Sequence, residues 1–358
     1  MSARYSPRSL GLWLGEMPVG PHNDISDVPG VLVGNVSLIR GVGPLDPNGS
    51  GPVRTGVTAI LPRPDLYRQP CKAAIDIING YGKSIGVPFI QEMGILNSPI
   101  LLTNTLSVHD VGHGVITYLL KKYPEIGNEA RTPNVVVMEC DDSYLNDIRG
   151  RHVKPLDAIL ALQRAARGPI EQGNVGAGVG MSCFQLKGGI GSSSRLVRQG
   201  VKNYVVGMLA LANFGILNDF ILSGVPVGKF LALQAKGYNP GSLILIGITD
   251  APLSRWQLQL LARRASLGMA RTGSISSTGS GDFCLMVSTH CSEGNNGSSL
   301  SDWALDEFFR AVVESTAESI WNALFLAQTM EGRDGNIRYA LPIRETLQII
   351  RSWQGGFS

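Results

Sequence analysis

Asn239-Pro240-Gly241-Ser242-Leu243-Ile244-Leu245-Ile246 is the stretch on which the reading of this chain turns. Asn-Pro-Gly is turn chemistry, and the unbroken apolar run after it reads as a buried strand. A serine thus stands at the mouth of a core strand, preceded by the one residue with no side chain to obstruct attack on its carbonyl. That arrangement suits a chain that cuts itself. The Ser242 hydroxyl would attack the Gly241 carbonyl and the resulting ester would be hydrolysed. Ser242 would then be a new N-terminus, with a nucleophile and a base on one residue. Taken alone, the dipeptide reads more simply as a strand that begins after a turn, so the rest of the chain has to decide.

The composition is that of a soluble globular protein. Charged residues make up 16% of the 358, and the 44 glycines point to tight turns and much buried surface. A formal net charge of +3, with no basic block, makes nucleic acid an unexpected partner. The five cysteines (Cys71, Cys140, Cys183, Cys284 and Cys291) are odd in number and lack CxxC spacing, so neither a zinc site nor a disulfide framework is indicated. Cys140, Cys183 and Cys284 lie in apolar surroundings and read as core fillers. Met1 to Gly20 holds no continuous apolar region ahead of a small-residue cleavage site. The apolar stretch from Tyr204 to Val227 is interrupted by Asn213, Asn218 and Asp219 and is no membrane span. A cytoplasmic location is the default expectation.

Strands are expected at 56–61, 134–140, 201–212, 242–248 and 283–289. Helices are expected at 110–123, 155–167 and 254–271, with the longest near 303–330, where Leu305, Phe308, Phe309, Val312, Ile320, Trp321, Leu324 and Phe325 recur at three- and four-residue steps. Polar or Gly-rich loops are expected at 41–56, 173–180, 188–194 and 292–301. None is long enough to link independent domains, so residues 1–358 are expected to form a single domain. Strands apolar on both faces, together with amphipathic helices, imply stacked sheets covered by helices, an α+β arrangement.

Several other constellations could carry chemistry. His109 and His113 are four apart and only loosely resemble HExxH; a third ligand would be needed, and the first turn of a helix is the simpler reading. Gly188-Gly189-Ile190-Gly191-Ser192 lacks the lysine that follows the last glycine of a phosphate-binding loop, and Gly176, Gly178 and Gly180 have the wrong spacing for a dinucleotide fingerprint; these glycines read as tight turns or close backbone approaches. A Ser-His-Asp triad finds no GxSxG elbow. Glu139 lies near the end of an apolar strand, where a carboxylate could hold an amine or simply be solvated. Asn213 ends another, where its amide could donate into an oxyanion hole or cap a turn.

The decisive pattern is one of order. Asn23-Asp24-Ile25-Ser26-Asp27-Val28-Pro29-Gly30-Val31 is followed by 51–58 (Gly-Pro-Val-Arg-Thr-Gly-Val-Thr), Leu102-Thr103-Asn104-Thr105, Leu145-Asn146-Asp147, Gly176-Ala177-Gly178 and Lys187-Gly188-Gly189-Ile190-Gly191. Ala212-Asn213-Phe214-Gly215, Gly241-Ser242, Thr249-Asp250-Ala251-Pro252-Leu253 and Gly332-Arg333-Asp334-Gly335 complete it. Over nearly its whole length the chain resembles the DmpA-type L-aminopeptidase/D-Ala-esterase and β-peptidyl aminopeptidase family of self-processing serine peptidases. The resemblance implies a four-layer α-β-β-α sandwich of N-terminal-nucleophile-hydrolase type, cleaved into fragments 1–241 and 242–358 that stay together, and by the same resemblance a homotetramer. It makes Ser242 the nucleophile, Ser280 and Asp282 its assisting pair, Asn213 the oxyanion-hole amide and Glu139 the partner of the substrate's amino group. Two positions depart from the family pattern. Asp282 stands where the family has Glu, one methylene shorter, so that its reach to Ser280 and to the new α-amine is expected either to fail or to need a water. Asn79-Gly80-Tyr81-Gly82-Lys83 stands where the family has Asn-Gly-Asn-Gly-Glu, which reverses a charge at the pocket or its rim.

The expected activity is that of a self-activating aminopeptidase or amidase acting on short peptides, amides or esters with a free amino group, with no metal or cofactor. The alternatives are an acyltransferase on the same scaffold, a metal hydrolase built on His109 and His113, and an unprocessed binding protein.

Overall fold

The computed structural model describes residues 4–12, 14–233, 241–290 and 300–355. Asn239 and Pro240 of the turn, Cys291, and most of the expected 292–301 loop lie outside the described residues. In chain order the strands are β1 (Leu32–Arg40), β2 (Val53–Leu61), β3 (Cys71–Gly80), β4 (Ile95–Leu96), β5 (Ile100–Asn104), β6 (Val136–Cys140), β7 (Ser182–Cys183), β8 (Leu186–Lys187), β9 (Gly189–Gln199), β10 (Lys202–Asn213), β11 (Ser242–Thr249), β12 (Gly281–Ser288), β13 (Met330–Glu331) and β14 (Ile337–Arg338). The α-helices are α1 (Val87–Met93), α2 (Val108–Lys122), α3 (Pro155–Gln163), α4 (Arg255–Ala270), α5 (Leu305–Phe325) and α6 (Ile343–Gly355).

Two sheets form the centre. One has the order β1-β2-β5-β6, the other β4-β3-β12-β11-β10-β9. Each contains one parallel pair, β5 with β6 and β11 with β12. A parallel pair needs a crossover, and helices α2 and α4 supply one each. Helices α2 and α3 cover the outer face of the four-stranded sheet, and α4 and α5 cover that of the six-stranded sheet.

Strand β11 shows why these layers form. All eight of its residues are buried. Leu243 and Leu245 pack in the core shared with Leu258, Leu261, Phe308 and Ile320 of the helices. Ile244, Ile246 and Ile248 alternate with them and pack in a second core with Ile60, Leu102 and Met138 of the opposite sheet. A continuous apolar run thus resolves into a period of two, one face for each core. A third core, between the four-stranded sheet and its helices, joins Val57, Leu101 and Val137 to Val111, Val115 and Leu162. The result is the expected α-β-β-α sandwich.

The expected loop at 188–194 is instead the first half of β9, wholly buried in its first seven residues. Its glycine and serines are small enough to lie flat under α5. A Cβ on Gly191 would come within 1.9 Å of the Ser319 carbonyl oxygen. The hydroxyls are satisfied internally: Ser192 donates to the Met208 carbonyl at 2.6 Å, and Ser193 donates to that of Ser315 at 2.8 Å. The expected 41–56 loop is likewise shorter, since β2 begins at Val53.

Buried charge ties the start of the described chain to α5. Arg195 meets Glu314 at 3.0 Å and Glu318 at 2.7 Å, and Arg8 makes two contacts with the Glu318 carboxylate. Burial alone would raise the Glu318 carboxyl, but the Arg8 hydrogen bond and the Arg195 charge together hold it below its ordinary value.

The contact of β9 with α5 gives a direct test. Gly191→Ala should lower unfolding free energy by about 1–3 kcal/mol, the usual cost of overpacking a close approach, as read by denaturant titration; a variant as stable as the wild type would show that the helix can shift without penalty.

Candidate active site

Ser242 is the first residue of β11 and is 6% exposed. Its register is fixed on both sides, by Asn213 in antiparallel β10 and by Gly281 in parallel β12. The Gly281 backbone N–H donates to the Ser242 hydroxyl at 3.3 Å. Gly241 has φ +69, the left-handed region that favours glycine, and a Cβ there would lie 2.9 Å from the Phe214 Cα. The residue before the serine therefore has two reasons to be glycine, its conformation and the backbone of 213–214 beneath it.

Asp282, one residue into β12, is fully buried. Its Oδ1 accepts from the Ser280 hydroxyl at 2.6 Å, a direct contact with no bridging water, so the shorter side chain reaches its serine after all. Its Oδ2 accepts from the hydroxyl of Ser276 at 2.5 Å, a residue the sequence reading did not single out. Burial pushes the Asp282 carboxyl above its ordinary range, against the opposing pull of the two serine hydroxyls and the Leu243 N–H. Ser276 has φ +50, and it sits in the hydroxyl-rich run 274–280. That run marks the loop in the sequence but not which of its hydroxyls meets the acid. Asn79 pins the same run by donating to the carbonyls of Ser277, Thr278 and Ser280 at 2.9, 3.2 and 2.6 Å.

Asn213 is 1% exposed. Its Oδ1 accepts from the Ser182 N–H at 2.7 Å and its Nδ2 donates to the Asp141 carbonyl at 2.8 Å. These two bonds orient the amide and occupy one of its two N–H groups. The β7–β8 hairpin that carries Ser182 is itself held by Lys187, whose buried ammonium group donates to the carbonyls of Gly178, Met181 and Gly188. Burial pulls Lys187 down to about 7 and pushes Asp142, beside Asp141, up to about 7.

Glu139 lies in β6 and is 1% exposed, buried rather than solvated. One oxygen accepts from the Lys83 backbone N–H at 2.7 Å and the other from the Thr105 hydroxyl. Thr105 closes the Leu102-Thr103-Asn104-Thr105 motif, though nothing in the sequence linked it to Glu139. Glycines connect this carboxylate to the serine. A Cβ on Gly82 would lie 3.5 Å from the Glu139 Oε1, and a Cβ on Gly281 would lie 2.6 Å from the Gly82 backbone and 3.2 Å from the Ser242 hydroxyl. Ser242, Ser280, Asp282, Asn213 and Glu139 are thus gathered around the mouths of β10, β11 and β12. Cys140 lies beneath, with its thiol donating to the Ser242 carbonyl at 3.5 Å.

His109 and His113 are placed elsewhere, on an exposed face of α2. Among the described residues no three histidines, cysteines or acids converge as metal ligands would, and no helix is long and apolar enough to cross a membrane.

A serine at a strand mouth, a backbone donor on its hydroxyl and a second serine held by a buried acid lie together on a four-layer fold. Residues 23–338 match Peptidase family S58. The chain is 41% identical to the beta-peptidyl aminopeptidase BapA of Sphingosinicella microcystinivorans, over 97% of this chain and 92% of that one, and 35% identical to the BapA of Sphingosinicella xenopeptidilytica, over 96% and 90%. Among solved structures it is similar to the PH0078 protein of Pyrococcus horikoshii OT3 (TM-score 0.93, 44% identity, 98% and 99% covered). It is also similar to the L-aminopeptidase D-Ala-esterase/amidase of Ochrobactrum anthropi (TM-score 0.90, 32% identity, 98% and 99% covered), described as a prototype of the serine aminopeptidases and a variant of the N-terminal-nucleophile hydrolase fold. This chain belongs to peptidase family S58. It is a serine peptidase of the N-terminal-nucleophile type, the enzyme class expected from its sequence.

Proposed function

We propose that the chain is an aminopeptidase that activates itself by cutting between Gly241 and Ser242, leaving 1–241 and 242–358 as one associated domain. The observation that carries this is the placement of Ser242, with its hydroxyl on the Gly281 N–H and the bonded Ser280–Asp282 pair flanking Gly281, one residue to either side of it. In the precursor the hydroxyl attacks the Gly241 carbonyl, the peptide nitrogen leaves as the Ser242 amine, and water cleaves the ester. The free α-amine, with a reference pKa of about 7.7–8.0, is partly neutral near pH 7 and takes the hydroxyl proton when Ser242 attacks a substrate. Ser280 donates its own proton to Asp282, which leaves its oxygen lone pairs free to accept from that ammonium. The remaining N–H of Asn213 stabilises the oxyanion. The α-ammonium passes its proton to the leaving amine, which departs, and water, deprotonated by the same α-amine, releases the acyl group from Ser242. Glu139 receives the substrate's ammonium. Substrates are short peptides or amides with a free amino group, as the names of the relatives suggest. The buried thiols of Cys140, Cys183 and Cys284 suit a reducing cytoplasm, and a homotetramer of cleaved protomers is the assembly proposed from the family resemblance.

Intact-mass analysis should find the two fragments with Ser242 as the new terminus, and Ser242→Ala should leave one chain. A different junction, or cutting that survives the substitution, would refute the assignment of the nucleophile.

Wild-type enzyme should turn over free-amine substrates and not their N-acetyl forms, and Glu139→Gln should cost about 1.5–3 kcal/mol in kcat/KM through the lost charge-assisted contact. Equal turnover of acetylated and free substrates would remove Glu139 from the amine site.

Asp282 is raised above the ordinary carboxylate range and acts ionised, so activity should fall as pH drops through that raised value. Ser276→Ala removes a donor that favours the charged form, and the Asp282 inflection on the acid limb of kcat/KM, which lies below the one set by the α-amine, should move to higher pH. A limb that stays in place, or moves to lower pH, would show that this hydroxyl does not govern Asp282.

A further inference from the structure

Between the nucleophile and Glu139 runs the segment Tyr81-Gly82-Lys83, directly after the last residue of β3. Its middle residue packs its backbone against Gly281, beside the Ser242 hydroxyl, and its last residue donates its N–H to Glu139. The two side chains of this segment are exposed, and they meet each other: the Lys83 ammonium lies 4.3 Å from the centre of the Tyr81 ring, which is itself 60% exposed. Among the described residues, no carboxylate lies within ion-pair distance of Lys83.

These facts conflict if the ligand is a simple cation. A substrate ammonium bound at Glu139 would sit next to a residue whose own ammonium has no counter-charge. Like charges on neighbouring groups repel, so the lysine works against a ligand that carries only a positive charge. The conflict disappears if the ligand brings an anion of its own. The aromatic ring below Lys83 restricts where its ammonium can go and leaves its outer side open to an acceptor.

We propose that Lys83, steadied by Tyr81, is a carboxylate-binding residue at the rim of the active site, and that the substrates are zwitterionic: short peptides with a free amino group at Glu139 and a carboxylate at Lys83. The inference rests on the reading of Ser242 as nucleophile and Glu139 as the amine's partner. The carboxylate can come from the C-terminus of a dipeptide or from an acidic side chain on the first residue. Both sources present the same group, and Lys83 specifies substrates by selecting for it.

Two substrate pairs separate the sources. Alanyl-alanine and its C-terminal amide, each made with L-alanine and with β-alanine first, differ only in the terminal carboxylate. The p-nitroanilides of L-aspartate and L-asparagine differ only in the side chain. The readout is the ratio of kcat/KM for the acidic member over the neutral member. In the wild type at least one pair should show a ratio of about tenfold or more, falling as salt is raised. Lys83→Met, which keeps the aliphatic stem, should bring the ratio close to one. Lys83→Arg should retain it, and Lys83→Glu should invert it. Ratios near one in both pairs for the wild type, or a ratio that Lys83→Met leaves intact, would overturn the proposal while leaving the aminopeptidase reading in place. Failure of the wild type to hydrolyse any of these substrates would overturn both.

Discussion

The register of β11 is the constraint on which the rest of the molecule depends. The strand has a hydrogen-bonded neighbour on each edge and an apolar core on each face. A slip of one residue would turn Leu243 and Leu245 away from the helices and drive every side chain into the wrong core. The apolar alternation that stabilises the sandwich therefore also determines which residue stands at the strand's mouth, beside Asn213 on one side and Gly281 on the other. The position of Ser242 follows from the packing of the core.

Much of this was legible in the sequence, and the reasons are particular. Strands β10, β11 and β12 announce themselves as apolar runs, and helix α5 by apolar residues at three- and four-residue steps. Strand β9 does not. It packs glycine and serine under a helix, and its composition is that of a loop until one sees that the serine hydroxyls bond to Met208 and Ser315 inside the core. Ser242 could be singled out from a turn followed by a buried strand. Thr105 and Ser276 could not, because each acquires its role only when the fold brings it to an acid, across 34 residues in one case and at a fixed backbone angle in the other. Hydroxyl partners of a buried carboxylate carry no spacing rule.

Asp282 shows how such partners change the chemistry of a site. The side chain is short, and its reach to Ser280 was expected to fail or to need a water. The loop instead approaches the acid. Ser280 and Ser276 each meet one oxygen, and Asn79 fastens the loop from β3 with three contacts to its carbonyls. A register shift between Asp282 and Phe283 in the pairing of β12 with β3 lies beside this cluster, a common accompaniment of active sites at strand ends. Burial disfavours the charge on Asp282 and the hydroxyls favour it. The carboxyl is therefore held in a fixed geometry at a raised pKa, a combination suited to a group that must orient a neighbour and take part in proton traffic.

The same sheet explains how a chain could be cut at its centre and keep its shape. In the six-stranded sheet, β4, β3, β10 and β9 precede Ser242 in the chain, and β11 and β12 follow it. The two later strands lie between β3 and β10, so the 242–358 segment is hydrogen-bonded to the 1–241 segment along both of its edges. Helices α4 and α5 from the later segment cover β3, β9 and β10 of the earlier one. Arg195 of the earlier segment reaches Glu314 and Glu318 of the later one in full burial. Breaking the Gly241–Ser242 bond would remove one covalent link and none of these contacts. Separating the halves would expose two cores, open two strand edges and leave buried charges unpaired, each a cost that far outweighs the chain entropy gained at a single cut. The later segment is thus an inserted layer of the fold, and a new terminus at Ser242 would gain a free amine without giving the strand that carries it any freedom to leave.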